Sequence, residues 1–319
     1  MSKKISVLAV MDPIEDINPR KDSTLAMLLA AQARGWQIGC AQLDDIWLRD
    51  GEATGRVAEL TVRDDMSNWF EAGQSRQVAL SEVDVILMRK DPPFNMQYIY
   101  ATYILERAAE QGALVVNRPQ SLRDANEKVF TAWFPQCCPP TMISRSLTDL
   151  TAFVEDGEQT VIKPLDRMGG KSVFVTRADD GNHNVILETL THDGNRYVIA
   201  QRYVPEITTT GDKRILLIDG EPIPYALARV PTGADHRGNL AVGARSEARP
   251  LTDRDSWICQ QVGPVLKEKG ILFAGIDVIG DFLTEINVTS PTCIRELDQA
   301  FDLDIAGQLM DVIASRIVR

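Results

Sequence analysis

The sequence predicts a mixed α/β and α+β fold, with an open parallel sheet first and a region of strands and hairpins after it. Over about the first 120 residues, apolar runs typical of buried strands alternate with helical segments. From about residue 159 the pattern changes to short strands on either side of glycine turns. The chain has 319 residues, enough for about two or three domains and for a large core without disulfides or metal ions.

The N-terminal part begins with a predicted strand and helix. Residues 5–11 form a continuous apolar run, which is typical of a strand buried on both faces. Leucines recur with helical spacing between positions 25 and 29, and this spacing predicts a helix. Asp22 or Ser23 can cap the start of that helix, and Gly35 can end it. After it, strands are predicted at residues 38–43, 83–88 and 113–117, and a second helix at residues 98–111.

A domain boundary is predicted near residues 119–124, where the first alternation of strands and helices ends. Beyond it a helix is predicted at residues 126–134, and the two prolines in residues 137–140 should prevent that helix from continuing. In the rest of the chain, strands are predicted at residues 160–164, 172–176, 197–204, 214–218, 221–229, 272–279 and 282–288, and helices at 184–191, 252–269 and from 305 onward.

Charge and hydropathy argue against two classes of partner. The chain has 34 Lys and Arg against 45 Asp and Glu, and its formal net charge is −11. Such a field disfavours nucleic acid and anionic membrane surfaces. The longest apolar runs fall well short of the roughly 20 residues that a membrane-spanning helix needs. We also expect no signal peptide, because no cleavage site with small residues follows the N-terminal lysines.

The cysteines and histidines form no pattern typical of a metal site or a catalytic triad. The cysteines number five, two are adjacent and no CxxC occurs, so neither a disulfide framework nor a zinc site is predicted. We therefore expect inert thiols in a reducing cytoplasm. The cysteines are Cys40, Cys137, Cys138, Cys259 and Cys293, and the histidines, all expected at the surface, are His183, His192 and His236.

A lysine and a glycine-rich loop form the first candidate site. Lys163 lies on a predicted strand, and Gly169 and Gly170 follow it in a turn between two strands. Glycines let backbone N–H groups approach phosphate closely, and the lysine adds a positive charge. The loop is not a Walker A motif, because Leu165 stands where that motif needs glycine. A phosphate-binding loop and an ordinary hairpin turn both stay open at this point.

Acidic and amide side chains near the end of the sheet region form the second candidate site. Glu285 and Asn287 are two positions apart on a predicted strand, so they point to the same face. Together with Asp277 they would supply the hard oxygen donors that suit Mg²⁺ shared with phosphates. The alternative is a solvated strand face with no ligand.

The turn between the last two strands decides whether Asp277 can join that site. A two-residue turn at Gly280-Asp281 would put Asp277 on the opposite face from Glu285. Both can share a face only if the loop has an odd length, such as residues 280–282, or if a strand carries a bulge. We predict the loop of odd length.

Arginines form the third candidate site. Across the hairpin turn at Asp219-Gly220, Arg214 should lie opposite Tyr225 and share a face with Arg229. Paired guanidinium groups suit carboxylates or transferring phosphoryl groups. The loop at residues 231–246 follows, with spaced glycines and with Arg237 and Arg245. Such a loop can close over a reacting centre, although a plain surface loop is the alternative.

Six strings of residues, taken in order along the chain, carry a family resemblance. They are Met88-Arg89-Lys90-Asp91-Pro92-Pro93, Asn117-Arg118-Pro119, Asn126-Glu127-Lys128, Lys163-Pro164-Leu165-Asp166, Gly211-Asp212-Lys213-Arg214 and Thr284-Glu285-Ile286-Asn287-Val288-Thr289-Ser290-Pro291-Thr292. Their order and spacing resemble the bacterial glutathione synthetase family of ATP-grasp ligases over nearly the whole chain. GxSxG and GxGxxG motifs are absent, so hydrolase and dinucleotide-binding functions lack support.

The resemblance implies a fold and a reaction. A Rossmann-like pre-ATP-grasp domain at residues 1–122 would precede a central ATP-grasp lid subdomain at 123–200 and a C-terminal catalytic subdomain at 201–319. ATP would lie between the last two, with Mg²⁺ or Mn²⁺. The implied reaction joins γ-glutamylcysteine to glycine through an acyl phosphate, with release of ADP and phosphate. The family resemblance also suggests a homotetramer.

The resemblance also implies roles for residues that match the family's motifs. The ATP-binding residues would be two lysines and two loop glycines at the phosphates, a hinge at residues 201–204 that meets adenine, and an aspartate near the ribose. They are Lys128, Lys163, Gly169, Gly170, Gln201, Arg202, Tyr203, Val204 and Asp212. The metal ligands would be Asp277, Glu285 and Asn287. Arginines around the reacting carboxyl would be Arg214, Arg229, Arg237 and Arg245. Substrate contacts would come from Arg89, Lys90, Asn287, Ser290 and Arg295. Lys171 is not counted as essential, because similar enzymes can carry a small residue after the two glycines.

Two other functions stay open. One is another ATP-grasp carboxylate–amine ligase, of the glutamate-adding or D-alanine ligase type, which would share the ATP-binding residues. The segment at residues 89–93 and the loop after Arg229 favour the glutathione enzyme. The other is an ATP-binding interaction module without catalysis, and the complete set of metal ligands and arginines argues against it.

Overall fold

The described residues form three sheets in the computed structural model, which covers residues 4–157, 159–231 and 245–317. The first sheet has seven strands, the second has four and the third has five. The first sheet contains β1 (Ser6–Val10), β2 (Gln37–Ala41), β3 (Ile46–Arg49), β4 (Glu52–Val62), β5 (Phe70–Ala79), β6 (Val85–Met88) and β7 (Leu114–Val116).

Four strands of the first sheet confirm the predicted parallel arrangement. Strand β1 pairs in parallel with β2 and β6, and β6 pairs in parallel with β7. Strands β3, β4 and β5 extend this sheet in antiparallel pairing and were not predicted. Most of β5 is exposed, so it carries no apolar pattern from which a strand could be predicted.

Three helices accompany the first sheet: α1 (Ser23–Ala33), α2 (Met96–Glu110) and α3 (Pro119–Asp124). Asp22 caps α1 as predicted, because its Oδ1 accepts a hydrogen bond from the Leu25 amide at 2.6 Å. Gly35 follows that helix with a φ of +75°, which glycine adopts without strain. Helix α2 begins two residues before the prediction, because the Asn95 side chain accepts from the first free amides of the helix.

The second sheet is small and antiparallel, in the order β10-β9-β11-β8. Its strands are β8 (Thr141–Ser144), β9 (Thr160–Pro164), β10 (Phe174–Thr176) and β11 (Val198–Arg202), and helices α4 (Leu147–Glu155) and α5 (His183–Thr191) pack on it. The helix predicted at residues 126–134 is wrong, since short 3₁₀ helices at Val129–Trp133 and Pro135–Cys137 occupy this segment. The Asn126 side chain accepts from the Lys128 and Val129 amides, as a helix cap does, but the Glu127 carbonyl accepts from the distant Ile286 amide, so long-range pairing holds this segment.

The third sheet is entirely antiparallel, in the order β14-β13-β12-β15-β16. Its strands are β12 (Asp212–Ile218), β13 (Glu221–Val230), β14 (Arg245–Pro250), β15 (Phe273–Ile279) and β16 (Phe282–Asn287). The remaining helices are α6 (Asp253–Glu268), α7 (Ile294–Phe301) and α8 (Ile305–Arg316). Within the described ranges, no helix is long and apolar enough to cross a membrane.

The first and third sheets share their cores, whereas the second sheet has its own. One cluster of buried side chains joins Leu8 and Met88 of the first sheet to Ile215 and Ile276 of the third. The buried Asn117 side chain adds polar contacts, since it bonds to both backbone groups of Phe273 and to the Val288 carbonyl. One face of the second sheet packs with α4 and α5 in a separate cluster. The domain boundaries after residues 122 and 200 stay a prediction.

Close packing of α6 holds the hairpin of β12 and β13 in place, and this contact gives a stability prediction. A Cβ on Gly263 of α6 would overlap the carbonyl oxygen of Gly220 in the hairpin turn. We expect Gly263→Ala to lower the free energy of unfolding by about 1–3 kcal/mol, although alanine favours helix. Urea denaturation measures this loss. Gly181→Ala is the control, because a Cβ there meets nothing within 4 Å, and an equal loss in both variants would contradict the packing argument.

Candidate active site

A cavity of about 1110 Å³ opens between the second and third sheets. Its lining combines Lys163 and Gln201 from the second sheet with Asp212, Asp277 and Glu285 from the third. Lining groups also come from the glycine loop and from the segment that follows β16. A site of this size, lined by apolar surface and a few charged groups, suits a nucleotide-sized ligand together with a second small molecule.

A bulge in β16 decides the geometry of the acidic residues. The turn between β15 and β16 has two residues, since Ile279 pairs with Phe282, so the predicted loop of odd length is wrong. Thr284 is the extra residue of a bulge, and its hydroxyl donates to the Asp277 carbonyl at 3.1 Å. The bulge brings Asp277 directly opposite Glu285. A bulge was the alternative to the loop of odd length, and it keeps the carboxylates of Asp277 and Glu285 on one face.

A second irregularity sets the positions of the arginines. Arg214 lies opposite Leu227 rather than Tyr225, because the register between β12 and β13 shifts near Leu216. The shift equals two residues on β13, so it preserves the side of the sheet to which each side chain points. Arg214 and Arg229 therefore share a face, as predicted.

The two arginines and two carboxylates form a largely buried network. Arg214 donates through Nε and Nη2 to the two oxygens of Asp277, at 2.5 and 2.8 Å. Arg229 Nη2 lies 2.9 Å from Asp277 Oδ2 and 2.5 Å from Asp212 Oδ2. Burial alone would raise the pKa of Asp277, but the two guanidinium groups outweigh it and hold that pKa well below its usual range. Asp277 is therefore ionised at neutral pH.

Lysines and Glu285 meet on the other side of the same cavity. Glu285 Oε1 lies 3.6 Å from Nζ of Lys128 and 3.9 Å from Nζ of Lys163. Desolvation lowers the pKa of Lys128, but the carboxylates of Glu285 and Glu127 outweigh it and leave this pKa above its ordinary value. Both lysines thus face the Glu285 carboxylate, which is partly open to the cavity, and Lys128 also contacts Glu127. This arrangement can accept phosphate groups without leaving an unpaired charge buried.

The glycine loop and the hinge segment line the same cavity as the lysines. Gly169 and Gly170 have φ values of +70° and +71°, a conformation that side chains disfavour and glycine permits. Residues 201–204 also contribute to the lining. The amide of Arg202 donates to the Pro140 carbonyl and that of Tyr203 to the Gln159 carbonyl. Any adenine contact through this backbone would therefore use other groups of the segment.

Several predicted residues lie away from the cavity. The buried Arg89 donates to the Pro291 carbonyl at 3.0 Å, so it supports the cavity wall from behind instead of lining it. Lys90 pairs with Asp12 at 2.8 Å. Arg295 pairs with Asp64, and the exposed Arg245 lies 3.4 Å from Glu247. Ser290 does line the cavity, whereas Arg237 and most of the predicted loop, residues 232–244, lie outside the described residues.

Glu127 lines the cavity although no role was predicted for it. Its carboxylate contacts the Lys128 ammonium group, and its carbonyl accepts from the Ile286 amide of β16 at 2.8 Å. Burial and the neighbouring Glu285 raise the pKa of Glu127 to about 7. The string Asn126-Glu127-Lys128 was the only signal in the sequence, and it contains no spacing that shows where the carboxylate lies.

Asp277, Glu285 and Asn287 are the residues predicted to hold a divalent metal ion. Among the described residues, no group of three His, Cys, Asp or Glu side chains is arranged to hold a metal ion by itself. Asp277 and Glu285 lie opposite each other on neighbouring strands. The Asn287 Nδ2 group donates to Asp277 at 3.3 Å, which leaves the Asn287 Oδ1 atom available as a metal ligand. Two carboxylates and an amide fit Mg²⁺ if phosphate oxygens complete the coordination. All three side chains belong to residues that line the cavity.

Comparisons with known proteins cover nearly the whole chain. The family model of the prokaryotic glutathione synthetase N-terminal domain matches residues 5–123, and the model of the ATP-grasp domain of the same family matches residues 127–302. A glutathione synthetase of Pseudomonas aeruginosa is 57% identical over 317 residues, which are 99% of each chain. One of Shewanella oneidensis is 55% identical over 308 residues, 97% of this chain and 98% of that relative.

Solved structures with the same fold are much more distant in sequence. A D-cycloserine synthetase is 16% identical, with a TM-score of 0.69 over 98% of this chain and all of that chain. The ATP-grasp ligase PsnB, solved with a variant of its minimal precursor, Mg and ADP, is 17% identical, with a TM-score of 0.65 over 99% of both chains. At this level of identity the likeness concerns the fold alone, and it confirms the predicted ATP-grasp architecture.

Proposed function

Because this chain belongs to the prokaryotic glutathione synthetase family, we propose that it joins γ-glutamylcysteine to glycine in a reaction driven by ATP. The observation that carries the proposal is the cavity between the second and third sheets, where lysines, arginines and carboxylates meet. Similarity over the full chain to enzymes named glutathione synthetase supports the choice of substrates.

The main barrier in this reaction is electrostatic, because an anionic carboxylate must approach a polyanionic triphosphate. In our proposal Lys128 and Lys163 bind ATP phosphates, and the backbone of Gly169 and Gly170 covers them. Asp277, Glu285 and Asn287 would hold Mg²⁺, or Mn²⁺ in its place, which neutralises phosphate charge and polarises the γ-phosphoryl group when bound. The segment at residues 201–204 would contact the adenine.

The arginines act on the group that changes during the reaction. The carboxylate of γ-glutamylcysteine attacks the γ-phosphorus, the bond to the ADP oxygen breaks, and an acyl phosphate forms. The glycine amine then attacks the carbonyl carbon, loses a proton and displaces phosphate. Arg214 and Arg229 carry charge into the cavity beside these steps, where they can stabilise the developing negative charge. The buried Asp277 and the half-buried Asp212 fix their directions beforehand.

The direct test is incubation with ATP, Mg²⁺, γ-glutamylcysteine and glycine. We expect ADP, phosphate and the tripeptide to appear in equal amounts, because one ATP is consumed for each peptide bond. Glutamate and D-alanine replace glycine in control reactions. If ADP forms only with one of these acceptors, the chain is a different ATP-grasp ligase, and if no acceptor supports turnover, the non-catalytic alternative gains support.

Further properties of the protein rest on the sequence and the resemblance. We propose the units at residues 1–122, 123–200 and 201–319 as its domains, the cytoplasm as its location and a homotetramer as its assembly. We also propose Ser290, which lines the cavity, as a contact to the peptide substrate. Arg89, Lys90 and Arg295 would reach that substrate, and Arg245 the reacting carboxyl, only by leaving the partners that they have here. Sedimentation analysis tests the tetramer.

A further inference from the structure

Asp212 lies at the start of β12, directly opposite Arg229 on β13. Gly211 precedes it with a φ of +77°, and a Cβ at that glycine would meet the Arg229 carbonyl oxygen at 2.7 Å. Only glycine permits this close approach of the two strands. The backbone therefore brings the Asp212 side chain beside the Arg229 guanidinium group without help from a ligand.

The carboxylate and the backbone carbonyl of Asp212 both accept hydrogen bonds from the Arg229 guanidinium group. The carboxylate oxygen Oδ2 accepts from Arg229 Nη2 at 2.5 Å, and the Asp212 carbonyl accepts from Arg229 Nε at 3.4 Å. The Arg229 side chain is only 9% exposed, so solvent contributes little to its orientation. Within the described ranges, the carboxylates that pair with Arg229 are those of Asp212 and Asp277.

The carboxylates of Asp277 and Asp212 differ in their other partners. Asp277 also accepts from Arg214 and Asn287, and it belongs to the proposed set of metal ligands. A carboxylate oxygen bound to Mg²⁺ interacts less strongly with a guanidinium group, because the two cations compete for it. Asp212 stands outside that set. Asp212 is therefore the carboxylate that can hold Arg229 while the metal is bound.

We propose that Asp212 is a positioning residue for Arg229, which it holds toward the reacting carboxyl during phosphoryl transfer, in addition to any contact with the ribose of ATP. The inference rests on the proposed function. A ribose contact acts on the binding of nucleotide, whereas positioning of Arg229 acts on the rate of the chemical step. The two roles can therefore be separated by measurement.

The test uses Asp212→Asn in the full-length protein, since asparagine keeps the size and one accepting oxygen but removes the charge. We expect kcat for peptide synthesis to fall about 10- to 100-fold, with KM for ATP changed less than about threefold. The Kd for ADP with Mg²⁺, measured by calorimetry, should also change less than about threefold. In an Arg229→Ala background the same substitution should lower kcat less than about twofold, because the group to be positioned is gone.

Asp219→Asn is the matched control. Asp219 lies in the turn of the same hairpin and also pairs with basic groups, Arg316 at 2.7 Å and Lys267 at 3.2 Å, but it lies outside the cavity lining. Its variant should keep the kcat of the unmodified protein. If Asp212→Asn does not fold, Asp212→Glu replaces it, because the displaced carboxylate should produce the same loss of kcat with nucleotide binding retained.

Two outcomes would overturn the inference. One is an ADP Kd at least about tenfold weaker with unchanged kcat, which is the result for a ribose contact alone. The other is an equal effect of Asp212→Asn with and without Arg229, since independent residues give additive effects. A different result, binding of ADP and Mg²⁺ by the unmodified protein without peptide synthesis, would instead reject the proposed function.

Discussion

Replacement of Glu285 by alanine is expected to lower kcat by about 10³-fold or more at saturating Mg²⁺. Glu285 is the proposed metal ligand that is partly open to the cavity, and it lies 3.6 and 3.9 Å from the two lysines proposed to bind phosphate. Loss of metal-dependent charge stabilisation costs about 4 kcal/mol of transition-state energy, which corresponds to this factor. The lysines also lose the carboxylate that they share, so their positions should change.

Turnover and metal binding should be measured separately for this variant. The dependence of ADP binding on Mg²⁺ concentration, followed by calorimetry, should shift to higher concentration in Glu285→Ala. Asp281→Ala is the matched control, because Asp281 is an exposed carboxylate in the turn of the same hairpin. Near-normal turnover of Glu285→Ala, or an unchanged dependence on Mg²⁺, would contradict the assignment of Glu285 as a metal ligand.

Arg229→Ala should lower kcat by about 10²- to 10³-fold and change the KM for ATP less than about threefold. The guanidinium group is held by Asp212 and Asp277 and lines the cavity, so it is oriented before substrate arrives. Those carboxylates outweigh desolvation and hold the pKa of Arg229 above its ordinary value, so the positive charge persists throughout the neutral range. An oriented charge of this kind stabilises the transition state more than the bound substrate.

Steady-state kinetics with varied ATP and γ-glutamylcysteine test this expectation. Arg229→Ala leaves the buried Asp277 and the half-buried Asp212 with one fewer partner each, so its unfolding must be measured alongside. Arg229→Lys keeps the charge but loses the planar fork, and it should retain an intermediate kcat. Arg249→Ala is the control, because Arg249 lies on the neighbouring strand and pairs with Glu247 at 2.7 Å outside the cavity lining. A higher KM for ATP with normal kcat would instead assign Arg229 to nucleotide binding.

Regular elements with strong apolar patterns could be predicted from the sequence. The buried strand at residues 5–11, the cap at Asp22 and the glycine at position 35 all appear where local chemistry places them. Strand β5 could not be predicted, because most of it is exposed and its backbone pairs with a strand that has no apolar run of its own. The helix expected at residues 126–134 is replaced by short 3₁₀ helices, and the Glu127 carbonyl of this segment accepts from the Ile286 amide of β16, a long-range pairing that no local pattern contains.

In the candidate site, too, local patterns predicted some placements of side chains and long-range packing decided the others. The alternation of side chains along one strand places Glu285 with Asn287, and the Asp219-Gly220 hairpin turn adds the pairing that places Arg214 with Arg229. Whether Asp277 meets Glu285 depends on the single extra residue at Thr284, which the composition of the turn does not reveal. Arg89 has the chemistry of a substrate contact, but packing between the first and third sheets turns it toward the Pro291 carbonyl.

The sequence by itself determined the elements with strong apolar patterns, the family to which the chain is similar and the charged residues available for chemistry. A formal net charge of −11 does not prevent a local cluster of arginines and lysines, because the cluster is assembled from positions far apart in the chain. The tertiary structure alone decided which of these groups meet and which predicted contacts point elsewhere. It also decided that Asp277 pairs with both arginines and Asp212 with Arg229. Such decisions depend on strand register and long-range packing, whose energies come from residue pairs that no local pattern contains.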